Sequence, residues 1–97
     1  MSYVFQYDVP ADEQFYRQVR DEIGDEPAKG LIAHLVLKRE GGLRHIGVWE
    51  TKEAWERFRD ERAEPALAKV FDAAGFARRP PRPEEKEMDL VDVWLGD

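Results

Sequence analysis

The sequence predicts an α+β fold, a ferredoxin-like βαββαβ plait in which a four-stranded antiparallel sheet carries its helices on one face. Two observations lead to this prediction. Residues 31–50 form a hairpin pattern, with two strand-like arms joined at Gly41-Gly42. A strand pattern and a helix pattern precede the hairpin, and a helical region and a last strand pattern follow it. Right-handed crossovers over the helical connections then bring all four strands into one sheet.

The first strand and the first helix are predicted over residues 2–7 and 11–22. One face of this strand carries three aromatic residues, Tyr3, Phe5 and Tyr7. Pro10 ends the strand, because proline has no N–H for the ladder, and it also suits the start of a helix. The helix presents a single apolar stripe to the core, made of Phe15, Val19 and Ile23.

The hairpin determines which side chains share a sheet face. A type I′ turn at Gly41-Gly42 pairs Glu40 with Leu43 and His34 with Trp49. One face is then apolar throughout and carries Leu31, Ala33, Leu35, Leu37, Ile46 and Val48. The other face is mixed and carries Ile32, His34, Val36, Lys38, His45, Gly47 and Trp49. A slip by one residue would exchange the two sets, so the alternation supports this assignment. We expect the helices to cover the apolar face.

Two helical segments are predicted after the hairpin, over residues 52–62 and 65–74. Thr51 is a suitable N-cap for the first segment, and Pro65 interrupts the helix or restarts it. Residues 78–87 combine three prolines with many charges, which predicts an extended, solvated connection.

The last strand is predicted over residues 88–95, with Asp92 and Trp94 on its mixed face. Because the helices of the chain cover only one side of the sheet, the mixed side would be bare in a monomer. That side carries Trp49, Trp94 and the aromatic row of the first strand. An exposed patch of this kind predicts a homodimer formed through the open sheet face, with a pocket between the sheet and the partner.

Composition limits the class of protein. The 97 residues are 42% hydrophobic and 37% charged, so we expect one globular domain over residues 1–97. The net charge of −6 argues against nucleic acid and anionic membrane surfaces as partners. The chain contains no cysteine and therefore offers no disulfide or thiolate chemistry. It shows no signal peptide and no apolar run of transmembrane length, which predicts a cytoplasmic location.

The order of elements resembles the dimeric α+β barrel superfamily, and within it the antibiotic-biosynthesis-monooxygenase-like group. The stretch Gly47-Val-Trp-Glu-Thr-Lys-Glu-Ala-Trp-Glu-Arg-Phe58 adds to the resemblance, because a strand ending in an aromatic and an acid runs into a capped helix. The resemblance implies a dimer whose two sheets form one barrel, with a ligand cavity in each protomer. Members of the superfamily include cofactor-independent oxygenases, haem-degrading enzymes, isomerases and small proteins of unknown activity.

The sequence predicts neither a cofactor nor a metal site. Haem-degrading relatives place a ligating histidine on the helix after the third strand, and residues 52–62 contain no histidine. In the predicted register His34 and His45 lie four residues apart along the strands, about 13 Å at ~3.3 Å per residue. They are therefore not expected to share a metal, and His45, near the turn, is expected to be solvated.

His34 is the candidate catalytic residue. Its imidazole has an ordinary pKa near neutrality, which suits a general base acting on a phenolic molecule. The alternative is a histidine hydrogen-bonded inside a dimer interface. Asp92 is expected to orient such an imidazole or simply to protect an edge strand from aggregation.

Four aromatic residues are candidate walls of a binding site, namely Trp49, Tyr3, Tyr7 and Trp94. Aromatic residues also bury area at ordinary interfaces, and this reading suits Trp94 best. Two functions are therefore predicted. The first is a binder of a small aromatic or apolar molecule with monooxygenase-like activity. The second is a non-catalytic dimerisation or ligand-binding module, in which side chains fill the space beside His34.

Overall fold

A computed structural model describes residues 2–76 and 78–96 of the chain. The elements in order are β1 (Tyr3–Val9), α1 (Glu13–Ile23), β2 (Leu31–Arg39), β3 (Gly42–Trp49), α2 (Lys52–Phe58), a π-helical turn (Arg59–Ala63), α3 (Glu64–Ala73) and β4 (Lys86–Met88). The strands form one antiparallel sheet in the order β2-β3-β1-β4. The predicted βαββαβ plait is therefore confirmed.

The helix boundaries follow from local chemistry. The Asp12 carboxylate accepts a hydrogen bond from the Phe15 backbone N–H at 2.9 Å, and the Thr51 hydroxyl accepts one from Ala54 N–H at 3.1 Å. These side chains satisfy backbone donors that have no partner in the first helical turn. Pro65 lies in the first turn of α3, where a missing N–H is tolerated, and the helical path continues into α3 through the π-helical turn.

The register of the hairpin differs from the predicted one by two residues. Arg39 pairs with Gly42 and His34 with Gly47, so the loop consists of Glu40 and Gly41 rather than Gly41-Gly42. Gly41 supplies the positive φ that this loop needs, at +83°. Gly42 instead belongs to β3, where a Cβ atom would lie 2.0 Å from the Val9 carbonyl oxygen. This even shift leaves the side chains from Ala33 to Lys38 on their predicted faces, whereas an irregularity between Leu31 and Ala33 pairs Leu31 with Trp49.

The helices cover the mixed face of the sheet, so the prediction that they cover the apolar face is wrong. The rings of Phe5 and Trp55 lie 4.4 Å apart between centroids, and Trp49 is only 1% exposed beneath α2. Aromatic rings bury more area per residue than aliphatic side chains do, which favours packing the helices on the aromatic side. The open face displays two leucines that are about half exposed, Leu35 and Leu37.

The last strand is shorter than predicted. β4 covers only Lys86–Met88, and Met88 pairs with Val4, close to the first residue of β1. The following residues therefore have almost no strand of their own chain to pair with. Residues 89–96 adopt neither helix nor strand, and Trp94 is 93% exposed. The prediction that Asp92 and Trp94 lie on a strand is thus wrong.

Candidate functional site

The two histidines of the chain form a pair between the sheet and α1. His34 on β2 lies opposite Gly47, and His45 on β3 lies opposite Val36, so the two side chains are diagonal neighbours on one face. A hydrogen bond of 3.0 Å joins His34 Nε2 and His45 Nδ1. The predicted separation of about 13 Å and the predicted solvation of His45 are both wrong, because the two-residue change of register brings the rings together. His45 is 8% exposed.

Two tyrosines enclose this histidine pair. The Tyr7 ring, on β1, stacks on His45 with centroids 4.7 Å apart, and the Tyr16 ring, on α1, meets His45 edge-on at 5.6 Å. The stacking follows from the sheet, because Tyr7 and His45 are paired residues of neighbouring strands. The sequence suggested Tyr7 as a wall of a site at His34, and in the structure its ring contacts His45, whereas Tyr16 carried no signal beyond its place on an amphipathic helix.

Burial determines the charge of the pair. It lowers the pKa of His34 to about 4, with a further contribution from the positive charge of Arg20. It also lowers the pKa of His45 to about 4, with a smaller effect of His34. Burial raises the pKa of Tyr7 well above its ordinary value, and Glu85 and Tyr16 add to this. Both imidazoles are therefore neutral at pH 7, and each can offer one donor and one acceptor nitrogen.

A second polar cluster lies on the same side of the sheet, toward β4. One carboxylate oxygen of Glu85, Oε1, accepts hydrogen bonds from the Tyr3 hydroxyl at 3.4 Å and from Trp55 Nε1 at 3.2 Å. Burial, followed by the charges of Glu85 and Glu87, raises the pKa of Tyr3 to about 12. Glu85 was not anticipated from the sequence, because nothing in a charged, proline-rich stretch distinguishes one carboxylate from its neighbours.

The other predicted site residues separate into two groups. Trp49 lies in the aromatic core with Phe5 and Trp55, so it is a packed core residue in this structure. Its Nε1 is buried and has no hydrogen-bond partner within residues 2–76 and 78–96. Asp92 and Trp94 follow β4, which is the sheet edge opposite β2, and both are exposed. They are therefore not assembled with His34 within one chain.

Two shallow grooves lie on the described surface, and neither His34 nor His45 lines either of them. One of about 200 Å³ is lined by Gln6, Tyr7, Asp8, Pro83, Glu84 and Lys86. The other, of about 270 Å³, lies between α1 and α3 near Arg62. Among the described residues, no three His, Asp or Glu side chains are grouped so that they could hold a metal ion. No helix in this part of the chain has the length and apolar character that crossing a membrane requires.

Comparison with known proteins identifies the fold. No protein-family model and no curated protein sequence matches the chain. Among solved structures, SnoaB, a cofactor-independent oxygenase from Streptomyces nogalater, is similar with a TM-score of 0.56 and 15% identity over 95% of this chain and 93% of SnoaB. The NE2512 protein of unknown function from Nitrosomonas europaea gives a TM-score of 0.56 and 17% identity over 98% of this chain and 93% of its own.

A further solved structure with this fold contains a ligand. An MhuD variant with two manganese protoporphyrin IX molecules bound per active site gives a TM-score of 0.52 and 17% identity, over 99% of this chain and 100% of MhuD. At identities of 15–17%, these similarities concern the fold. The chain has the fold of the dimeric α+β barrel proteins, as the resemblance seen in its sequence predicted.

Proposed function

We propose that this protein is a homodimer in which each protomer binds a small aromatic molecule beside His34 and oxygenates it with dioxygen in a monooxygenase-like reaction, in which a CH2 group of the substrate becomes a carbonyl group and the second oxygen atom leaves as water. The observation that carries this proposal is the neutral His34–His45 pair enclosed by Tyr7 and Tyr16 between the sheet and α1. A polar pair within an aromatic layer suits a ligand that is flat and apolar but bears a hydroxyl group.

The histidine pair has the groups needed to hold such a hydroxyl. A neutral imidazole accepts a hydrogen bond at one nitrogen and donates at the other. With its pKa lowered to about 4, His34 is a weak base at neutral pH, so proton transfer requires stabilisation of the resulting phenolate. The positive charge of Arg20, close enough to lower the pKa of His34, would provide it. In this proposal His34 is the base, Arg20 stabilises the anion, and Tyr7 forms a wall.

The comparisons support the aromatic ligand class without specifying a substrate. SnoaB is described as a cofactor-independent oxygenase, and MhuD is seen with a flat porphyrin in its active site. Both histidines of this chain lie on the sheet and are hydrogen-bonded to each other. We therefore place no haem in the proposed reaction.

The homodimer is proposed from the exposed apolar surface. Leu35 and Leu37 of β2 are 53% and 45% exposed on the open sheet face, and Val91 and Trp94 are almost fully exposed after β4, at the opposite edge of the sheet. Exposed apolar side chains of this kind are typical of a protein interface. Asp92 and Trp94 would then belong to the contact between subunits, and Tyr3 and Trp49 would be more distant walls of the aromatic interior.

Oxygen uptake tests the proposed reaction. Dithranol, a three-ring phenolic anthrone, is added to the wild type, to His34→Ala and to the control Gln18→Ala, which changes an exposed residue of α1. We expect uptake above the buffer rate for the wild type and the control, and a loss of roughly a hundredfold in His34→Ala, the usual contribution of a general base. Equal rates in wild type and His34→Ala would contradict the proposed role of His34.

A non-catalytic ligand-binding or dimerisation module is the second candidate. The packing of His34, Tyr7 and Tyr16 around His45 favours it, because side chains already occupy the space beside that imidazole. Dithranol that shifts the His34 resonances in NMR spectra but causes no oxygen uptake would support this second function over the first.

A further inference from the structure

Two hydrogen bonds hold the carboxylate of Glu85 against the sheet and α2. Two donors from separate elements, the Tyr3 hydroxyl on β1 and the Trp55 indole on α2, converge on the single oxygen Oε1 at 3.4 and 3.2 Å. Two converging donors on one oxygen are what a binding site offers to a carbonyl group, which accepts through two lone pairs.

The surroundings of these donors are aromatic. The Phe5 ring lies 4.4 Å from Trp55 and 5.6 Å from Tyr3, and the Trp49 ring lies 5.6 Å from Trp55, all between centroids. The buried Nε1 of Trp49, which has no partner among the described residues, is a further donor in the same cluster. A flat ring carrying an oxygen acceptor would match both features.

Glu85 lies at the end of a segment that forms no backbone hydrogen bonds of a helix or a sheet. Residues 78–85 connect α3 to β4, contain neither helix nor strand and are mostly exposed. The segment is anchored by Arg79 and Arg82, which form ion pairs with Glu64 at 2.7 and 3.0 Å. The two arginines are about half exposed, which weakens these ion pairs, whereas Glu64 is only 21% exposed. The groove of about 200 Å³ borders this segment at Pro83 and Glu84, directly before Glu85.

We propose that the Tyr3 hydroxyl and the Trp55 indole form a subsite for the carbonyl oxygen of an aromatic ketone, and that Glu85 fills this subsite until the ligand displaces it. A neutral carbonyl fits better than a carboxylate, because the negative charges of Glu87 and Glu56 also act on Tyr3 and would repel an anion. The ligand would enter from the groove beside Pro83 and Glu84.

The subsite is separate from the histidine pair. Phe5 lies between Tyr3 and Tyr7 along β1, with ring centroids 5.6 and 5.8 Å from theirs. Displacement of Glu85 therefore involves neither His34 nor His45, and the inference holds whether or not the proposed oxygenation occurs.

NMR titration of the Trp55 indole N–H resonance tests the proposal. Acetophenone is the probe, and ethylbenzene, which has the same outline without the oxygen, is the comparator. The variant is Glu85→Ala, and the matched control is Glu84→Ala, which removes the neighbouring exposed carboxylate. We expect Glu85→Ala to bind acetophenone roughly tenfold more tightly than wild type or Glu84→Ala do, as freeing two hydrogen-bond donors allows. The affinity for ethylbenzene should differ by less than about twofold between Glu85→Ala and the wild type.

The double variant Glu85→Ala/Tyr3→Phe shows whether the freed donors cause the gain in affinity for acetophenone. We expect most of that gain to disappear, because the Tyr3 hydroxyl is removed. Equal affinity for acetophenone in wild type and Glu85→Ala, or an undiminished gain in the double variant, would overturn the proposal. Should Glu85→Ala fail to fold, Glu85→Gln takes its place. Its amide oxygen still accepts from both donors but lacks the charge, so we expect a smaller gain, and no gain would contradict displacement.

Discussion

At the scale of single residues, His34 and His45 are coupled through one hydrogen bond and through shared burial. Among residues 2–76 and 78–96, no carboxylate lies beside either ring to favour the charged form, and Arg20 disfavours that form further at His34. The rings on the described elements around the pair are Tyr7 from β1 and Tyr16 from α1. The folded protein therefore favours the neutral form of both rings, and lowering the pH should reduce the free energy of unfolding.

The pH dependence of stability follows from the sign of these shifts. The pKa of each histidine falls from 6.5 to about 4 on folding, so the unfolded chain binds protons first as the pH drops. The contribution to the free energy of unfolding is complete above pH 6.5 and is lost between pH 6.5 and pH 4. We expect His34→Gln to reduce that loss by on the order of 2 kcal/mol. Urea unfolding at several pH values measures it, and an unchanged pH dependence in His34→Gln would contradict burial of the neutral ring.

Gly47 is the residue on which the aromatic core depends. A Cβ atom at this position would lie 2.4 Å from the Phe5 ring, which covers the glycine and is itself fully buried. We expect Gly47→Ala to displace Phe5 and to reduce the free energy of unfolding by about 1–3 kcal/mol. Gly96→Ala is the control, because an added Cβ meets no atom within 4 Å there. Urea denaturation of both variants gives the comparison, and equal stabilities would show that Phe5 adjusts freely.

At the scale of elements, α2 begins where a strand ends. Trp49 is the last residue of β3, and Thr51 caps α2 by accepting a hydrogen bond from Ala54 N–H at 3.1 Å. The cap holds the start of the short helix that places Trp55 over Phe5. The Thr51 cap thus helps to position Trp55 in the aromatic core.

Removal of this cap should be measurable. We expect Thr51→Ala to reduce the free energy of unfolding by about 1 kcal/mol, because the Ala54 N–H loses its acceptor. Thr51→Ser keeps the hydroxyl and should remain close to wild type. Thermal unfolding followed by circular dichroism compares the three proteins, and equal losses for alanine and serine would point to the lost methyl group instead.

At the scale of the whole molecule, the sheet has one covered face and one open face. The covered face contains the histidine pair and the aromatic core, and the open face displays the leucines of β2. A functional site and an interface can therefore lie on opposite sides of the same four strands.

The proposed dimer can be tested on the open face. We expect wild type to have the mass of a dimer by light scattering, and Leu35→Glu to be a monomer, because it places a charge in an apolar contact. Gln18→Glu adds the same charge on an exposed position of α1 and should leave the dimer intact. A monomeric wild type would contradict the proposed interface.

Much of the fold could be predicted because its signals are local. Alternation of side chains defined the strands and their two faces, and Thr51 caps the helix that follows the hairpin, as its position before that helix predicted. The site was predicted less well. Tyr7 and His34 do share the covered face, but the contact between His34 and His45 depended on the register of the hairpin.

Local residue patterns predicted the order of elements, the Thr51 cap and most of the residues on each face of β1, β2 and β3, because each depends on neighbours a few positions apart. Long-range packing selected the face that the helices cover, since both faces are apolar enough to accept them. It also decided the register, through the close approach of Gly42 to Val9, and the end of β4, because β1 begins at Tyr3 and offers no further backbone to pair with. These are long-range choices, and they created the histidine pair and the position of Glu85.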